Sequence, residues 1–565
     1  MTKVVILGGG VAGMSAAHEL INRGFTVEVF DRNPHYVGGK ARSVNVQGTN
    51  LIDKDKFLPG EHGFRFFPGF YKHITDTMKG IPVGDGRSAF DNLVSTQNVM
   101  IAQSGKLPLI MPVNFPTSLT DITELFYSFL VADSELTKAE VEYFAERVWQ
   151  LMTSCSERFA DEYESISWWE YTNAANFSDA YQRLLVEGLT RSLVACKAQN
   201  ASTNTVGTIF LQLLYLMIDR KAQDTDRVLN APTNDAWLYP WSDYLTSKGV
   251  VYHKGANVVS IQTADGKISS ATIEQVGAPA AFEVTGDIFI LAVPVERAAT
   301  LMNAEILQLD PSLQNIIRLA PNVEWMNGVQ FYLNTELNLN FGHTIYSNSN
   351  WALTSISQVQ FWPNYDLKNR GNGKVVSILS VDISDWTTPG NFNGKAAQDC
   401  EPDEIIEEVL AQLMDELNLN GHVILSKEMI EFTYLDRDIR PISNPVNALM
   451  KTKLTSDETD ALQKVTNLEP LLVNQCDTWE LRPNSYTKIP NLYLASDYVK
   501  TNTNLATMEG ANEAARRAVN NILKDTDSSA SLCEIWELHN PLLLQPMQAI
   551  DHSRFKKGLK WAPIF

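Results

Sequence analysis

Val4-Val5-Ile6-Leu7-Gly8-Gly9-Gly10-Val11-Ala12-Gly13-Met14-Ser15-Ala16-Ala17-His18-Glu19-Leu20 is the stretch whose reading decides the fold. Four apolar residues make a short run of buried-strand type, three glycines follow, and helix formers come next: strand, tight turn, helix. Gly8, Gly10 and Gly13 are spaced G-x-G-x-x-G. The first glycine of such a turn permits the bend, the second admits a pyrophosphate to the backbone, and the third lets helix pack on strand. Val11 and Ala12 then open the helix at the end that faces the phosphates. Phe25-Thr26-Val27-Glu28-Val29-Phe30 supplies a second strand. It ends at Asp31, 18 residues after Gly13 and next to Arg32, where a carboxylate can accept hydrogen bonds from a ribose diol. The spacing predicts an α/β chain with a Rossmann-type dinucleotide domain.

A length of 565 residues exceeds one simple core, so two or three packed units are expected. With 44% hydrophobic and 20% charged residues the chain can bury those cores. A net charge of −20 repels phosphate backbones and argues against nucleic acid as a partner. Five cysteines lie far apart with no C-x-x-C pair, which fits reduced thiols in a cytosolic protein and neither a disulfide framework nor a zinc site. The nine histidines are scattered, and no metal ligand set is expected. The first residues enter an apolar strand without an export signal. The longest apolar run, from Ile209 to Ile218, is interrupted by Gln212 and is about half of the roughly 20 residues a membrane span needs.

Just past Asp31 lies Gly38-Gly39-Lys40-Ala41-Arg42. A G-G-(K/R)-x-R segment soon after a ribose acid resembles the flavin amine oxidase and phytoene desaturase superfamily, whose dinucleotide is FAD. In that family the glycines and the arginine lie against the pyrophosphate, whose charge a fixed cation offsets. Near the end of the chain, Asn491-Leu492-Tyr493-Leu494-Ala495-Ser496-Asp497-Tyr498 and then Ala506-Thr507-Met508-Glu509-Gly510-Ala511 resemble the family's (A/G)-(G/A)-D-Y and (T/S)-M-E-G-A patterns, with Ser496 in place of the usual glycine. The resemblance implies that Asp497 sits on the ribityl chain or pyrophosphate and that the helix opening at Thr507 and Met508 faces the flavin. A positive helix end there would favour the reduced cofactor. By the same resemblance Val258 offers its backbone to the adenine.

Gly60-Glu61-His62-Gly63-Phe64-Arg65-Phe66-Phe67-Pro68-Gly69 looks like the flavin-edge loop of plant and cyanobacterial-type phytoene and zeta-carotene desaturases, with Arg65 where those usually carry a histidine. This implies that Gly63, Phe64 and Arg65 touch the cofactor and that Glu61, His62 or Arg65 relays a proton or tunes the flavin. The expected architecture is a glutathione-reductase-like FAD domain interleaved with a mixed-sheet substrate domain and a helical cap. The FAD domain takes residues 1–105, 240–300 and 465–525; the cap is 106–239, the sheet-rich unit 301–464 and a tail 526–565.

Trp351, Phe361, Trp362 and Trp479, near Gln358 and Arg482, are candidates for lining an apolar substrate tunnel, with core packing as the alternative. Ala231-Pro232-Thr233 through Trp241 is similar to the desaturase clade's G-P-T segment. The resemblance therefore implies an FAD-dependent desaturase or dehydrogenase acting on a C–C unit of an apolar, isoprenoid or lipid-like substrate, re-oxidised by quinone or dioxygen. An amine or amino-acid oxidase is the main alternative, followed by a hydroxysqualene-type dehydroxylase and a non-catalytic flavoprotein. The tail mixes apolar and basic residues and suits packing across the FAD domain, a homo-oligomer contact or a peripheral membrane contact.

Overall fold

The computed structural model describes residues 2–63, 66–112, 135–188, 190, 194–218, 226–442 and 463–563. Val4, Val5, Ile6 and Leu7 are fully buried, as an apolar run covered on both faces must be. The strand Lys3–Leu7 is the centre of a five-stranded parallel sheet. Across the sheet the order is Val251–Lys254, Thr26–Asp31, Lys3–Leu7, Ile288–Leu291, Leu492–Leu494. Ile6 stands opposite Val29 on one side and Ile290 on the other. Three stretches far apart in the chain thus build one sheet, and helices Val11–Ile21 and Met508–Asp525 pack together on it, joined by a 2.8 Å hydrogen bond from Asn512 to Ser15.

Gly8 is at φ +110°, where a side chain is strained, and a Cβ on it would stand 2.6 Å from the carbonyl oxygen of Ala292. The chain therefore turns tightly against the neighbouring strand and leaves the sheet's carboxyl edge open.

A second sheet has seven strands in the order Ile430–Leu435, Asn327–Leu333, Ser377–Ile383, Leu353–Ser357, Gly342–Tyr346, Asn98–Ala102, Leu109–Pro112. Its pairs are antiparallel except Gly342–Tyr346 with Asn98–Ala102. The amphipathic helix Pro402–Leu417 covers one face through Ile405, Val409 and Leu413, which are fully buried. Asn98–Ala102 corrects the sequence-based division, which ended the first FAD segment at residue 105: its apolar run carries no mark of which sheet it will join, and its partner lies over 240 residues away. Lys138–Thr153 and Thr203–Ile218 are long helices of the expected cap. The amphipathic stretch 120–130 lies outside the described residues.

The tail runs across both units. Gln212 of the cap exchanges two 3.0 Å hydrogen bonds with the backbone of His539, and Cys533 does the same with Asn520 at 2.6 and 2.9 Å. Beyond it, Asp551 of helix Gln545–Phe555 pairs with the fully buried Arg158 at 2.9 Å. Packing across the FAD domain is therefore the role of residues 533–539, while Leu542 and Leu543 remain exposed. No helix among the described residues is long and apolar enough to cross a membrane.

Candidate active site

The open carboxyl edge of the parallel sheet leads into a cavity of about 500 Å³. On the side of the nucleotide sheet it is lined by Asp31, Arg32 and Val258, and along its middle by Gly8, Gly10, Val11, Ala12, Gly38, Gly39, Lys40, Arg42 and Asp497. Thr507 and Met508 line it at the start of the last long helix, and His62, Gly63, Phe66, Tyr71, Met326 and Asp382 on the side of the second sheet. Fifteen sequence-predicted cofactor positions meet here although they come from five separate stretches of chain. Gly13 does not line the cavity: a Cβ on it would stand 1.9 Å from the Gly8 carbonyl oxygen, so its role is the close helix-to-turn contact. Phe64 and Arg65 lie outside the described residues.

The cavity suits an elongated dianionic dinucleotide. Gly10 and Gly39 face each other so closely that a Cβ on Gly39 would stand 3.0 Å from the Gly10 Cα, while a Cβ on Gly10 would have Gly39 as its neighbour at 3.7 Å and otherwise open space. Asp31 is buried, with its carboxylate accepting from the backbone N–H of Gly9 and of Asn33, both at 2.8 Å. Burial raises its pKa against those two hydrogen bonds. Lys40, Arg42 and Arg297 line the cavity and bring positive charge to it. Burial would push Glu469 up, but Arg32, Lys40 and Arg42 hold its carboxyl below the ordinary range. Thr507 caps the helix Met508–Asp525 by accepting from the Gly510 N–H at 3.1 Å, and the positive end of that helix faces the cavity.

At the far wall the predicted catalytic residues separate. His62 lines the cavity with Nδ1 against the Asp436 carboxylate and 3.5 Å from Asp438. Arg42 donates to Asp438 and, at 2.7 Å, to the Gly39 carbonyl. Burial opposes charge on His62, yet the two carboxylates prevail and hold the imidazole up at about 9. Between these two carboxylates the charged imidazole is the favoured form. Glu61, two per cent exposed, turns away: it accepts from Thr233 N at 2.9 Å and Thr233 Oγ1 at 2.8 Å. Its expected place by the flavin is corrected: Glu61, the last residue of the strand Leu58–Glu61, faces a separate small cavity, while His62, just past the strand's end, lines the large one.

Two groups of side chains that are scattered in the sequence come together in the fold. His62, Asp436 and Asp438 bring ligand-type atoms within 4.8 Å of one another, as do Cys155, Glu157 and His552. The carboxylates of the first group are matched by the imidazolium and by Arg42. Sequence separation hid both groups.

The aromatic tunnel is corrected as well. Trp351 is fully buried in the core beneath the second sheet. Gln358, Phe361 and Trp362 line a separate small cavity with Glu61 and Thr233. Arg482, stacked 5.7 Å from the Trp479 ring centre, is buried and donates to the Asp497 carbonyl at 3.0 Å and to Asn474. It braces the last FAD strand from behind. Sequence reasoning missed Asp382, Asp436, Asp438, Glu469 and Met326. Asp382 alone carried a signal, an acid inside the apolar strand Ser377–Ile383.

Residues 11–523 match the family described as flavin containing amine oxidoreductase. Zeta-carotene desaturase of Zea mays is 36% identical over 80 residues, 14% of this chain and 12% of that protein. A probable zeta-carotene desaturase of Synechococcus elongatus is 22% identical over 319 residues, 53% of this chain and 60% of that one. These matches span less than two thirds of either relative. A solved putrescine oxidase structure is similar with a TM-score of 0.58 at 12% identity, covering 93% of this chain and 99% of its own; at that identity the likeness is one of fold. The chain belongs to the flavin-containing amine oxidoreductase family and is an FAD-dependent oxidoreductase.

Proposed function

We propose that this protein is a desaturase that takes a hydride and a proton from adjacent carbons of an apolar, isoprenoid or lipid-like substrate. The observation that carries the reading is sequence similarity over about half the chain to a protein named as a probable zeta-carotene desaturase, together with the shorter match to the maize enzyme. The far wall supports it: Phe66, Tyr71 and Met326 present apolar surface to the cavity. Burial keeps the Tyr71 phenol protonated beside Thr507.

Bound FAD supplies a hydride acceptor at N5. The chain's part is to orient, to keep the site dry and to receive the proton. Asp382 is the proton acceptor. Its carboxylate lines the cavity and lies so close to Gly63 that a Cβ there would stand 3.0 Å away. As the hydride leaves one carbon with its electron pair, the neighbouring carbon gives its proton to Asp382, and that C–H bonding pair becomes the new π bond. Quinone or dioxygen is the proposed terminal acceptor. The test is anaerobic bleaching of the flavin absorbance in the FAD-loaded protein, with polyenes and terpenoids in detergent against a panel of amines and amino acids. Bleaching by the apolar panel supports desaturation; bleaching by amines only, or by neither panel, overturns it. D382N should keep FAD and slow bleaching by roughly 10²–10⁴-fold, the usual worth of a positioned base.

A further inference from the structure

The motif Gly38-Gly39-Lys40-Ala41-Arg42 and the loop at His62 read as two separate features of the sequence, one for phosphates and one for the ring. The structure joins them through a short turn nearly 400 residues later. Asp436 and Asp438 follow the edge strand Ile430–Leu435, and the turn is fixed by the Asp438 N–H donating to Asp436 Oδ1 at 2.9 Å and by the Asp436 N–H donating to the Gly328 carbonyl at 2.9 Å. Gly328 in turn donates its N–H to the His62 carbonyl at 3.0 Å. Asp436 and Asp438 are two and six per cent exposed, and Arg42 is three per cent exposed. Of the two cations, Asp438 touches both Arg42 and His62, while Asp436 touches only His62 and also accepts from Asn327 Nδ2 at 3.4 Å. Of these four side chains, only Arg42 and His62 line the cavity. Two cations therefore face the cofactor, and the two anions that hold them stand behind.

We propose that Asp436 and Asp438 are positioning residues that bind His62 and Arg42 into one charge-paired unit, and that this unit sets the reduction potential of the bound flavin. Burying a cation is costly unless a paired anion compensates it. Here the compensation comes from the side away from the cavity, so the nearer charge felt there is positive. Positive potential stabilises the negative charge that two-electron reduction brings. Arg42 opposes charge on His62; Asp382, from the strand Ser377–Ile383, stands beside the neighbouring Gly63, and Arg437, within the same turn as the two aspartates, acts on Asp438. Glu469 acts on the unit through Arg42, at 3.8 Å. The imidazole's elevated pKa, about 9, agrees with this arrangement. The inference rests on FAD as the cofactor and not on the substrate reading. Its test contains no substrate, so the two can fail separately.

The experiment is a redox titration of the FAD-loaded full chain with dithionite and reference dyes, from pH 6 to pH 10, on wild type, D436N, D436E and H62Q. Wild type should change the slope of potential against pH near 9. In D436N the imidazole loses its strongest partner and burial is left to oppose its charge, so the break should move down to below pH 7. The preference for reduced flavin at pH 7.5 should fall about tenfold, ~30 mV for a two-electron couple. D436E should restore most of both, and H62Q should abolish the break. A D436N protein that is less stable but keeps the wild-type potential and break would show a merely structural role and overturn the proposal. If D436N does not hold FAD, H62Q decides: persistence of the break near pH 9 overturns it and loss of the break supports it.

Discussion

Replacing Glu509 by alanine removes a buried carboxylate that joins two helices beneath the cavity. Glu509 is the second residue of helix Met508–Asp525 and one per cent exposed. Its Oε1 accepts from the backbone N–H of Lys72 at 2.8 Å and of His73 at 2.9 Å, and its Oε2 from that of Ile74 at 2.9 Å. His73 Nε2 accepts from the Trp536 N–H at 3.0 Å, so Nδ1 carries the ring proton and donates it to Oε1 at 2.7 Å. The helix His73–Lys79 has no cap from its own N-cap residue, Lys72; Glu509 serves instead. Alanine leaves three amides and one imidazole N–H without their acceptor. Each buried donor so stranded costs about 1–3 kcal/mol. Water entering the gap recovers part of the total, which leaves about 3 kcal/mol, on the order of 10²-fold in the local opening equilibrium. Hydrogen exchange read by mass spectrometry on peptides covering residues 70–80 measures that opening directly. E509Q keeps one acceptor oxygen and should speed exchange by about tenfold. If E509A exchanges within threefold of wild type, the capping role is wrong.

Two glycines of the first turn should respond in opposite ways. G13A drives a methyl into the Gly8 carbonyl at 1.9 Å and should prevent folding of the nucleotide unit, read as loss of soluble FAD-binding protein; G10A meets little protein, so it should fold normally and bind FAD more weakly by fluorescence titration. The pairing of His62 also gives a pH signature. Because its folded pKa lies above the ordinary 6.5, the stabilisation is fully present below about pH 6.5 and is lost as pH rises to about 9. A shift of this size is worth roughly 3 kcal/mol. Thermal stability of wild type should therefore fall between pH 6.5 and 9, and H62Q should lack that component; parallel profiles for the two proteins would refute it.

The nucleotide half was legible because its constraints are local. A tight turn, a close helix and a phosphate site each demand a residue type at a fixed spacing, and Gly8, Gly10, Gly13, Asp31, Asp497, Thr507 and Met508 satisfy them within short windows. Gly13 shows the limit of that reading: the motif named it correctly, but only the packed structure separates a glycine that leaves room for a ligand from one that leaves room for the chain. The aromatic residues of the second half carried no such constraint. A tryptophan is equally at home in a core or in a tunnel, and Trp351 became core because a sheet and a helix closed over it. Asn98–Ala102 found its sheet in the same non-local way. By itself the sequence determined the dinucleotide fold, the cofactor class and most of the cradle, since those follow from backbone sterics over a few residues. Only the tertiary structure decided the electrostatics of the far wall. Charge pairing there joins Arg42, His62, Asp436 and Asp438 across nearly 400 residues, and Coulomb energy depends on distance in space, which spacing along a chain does not record.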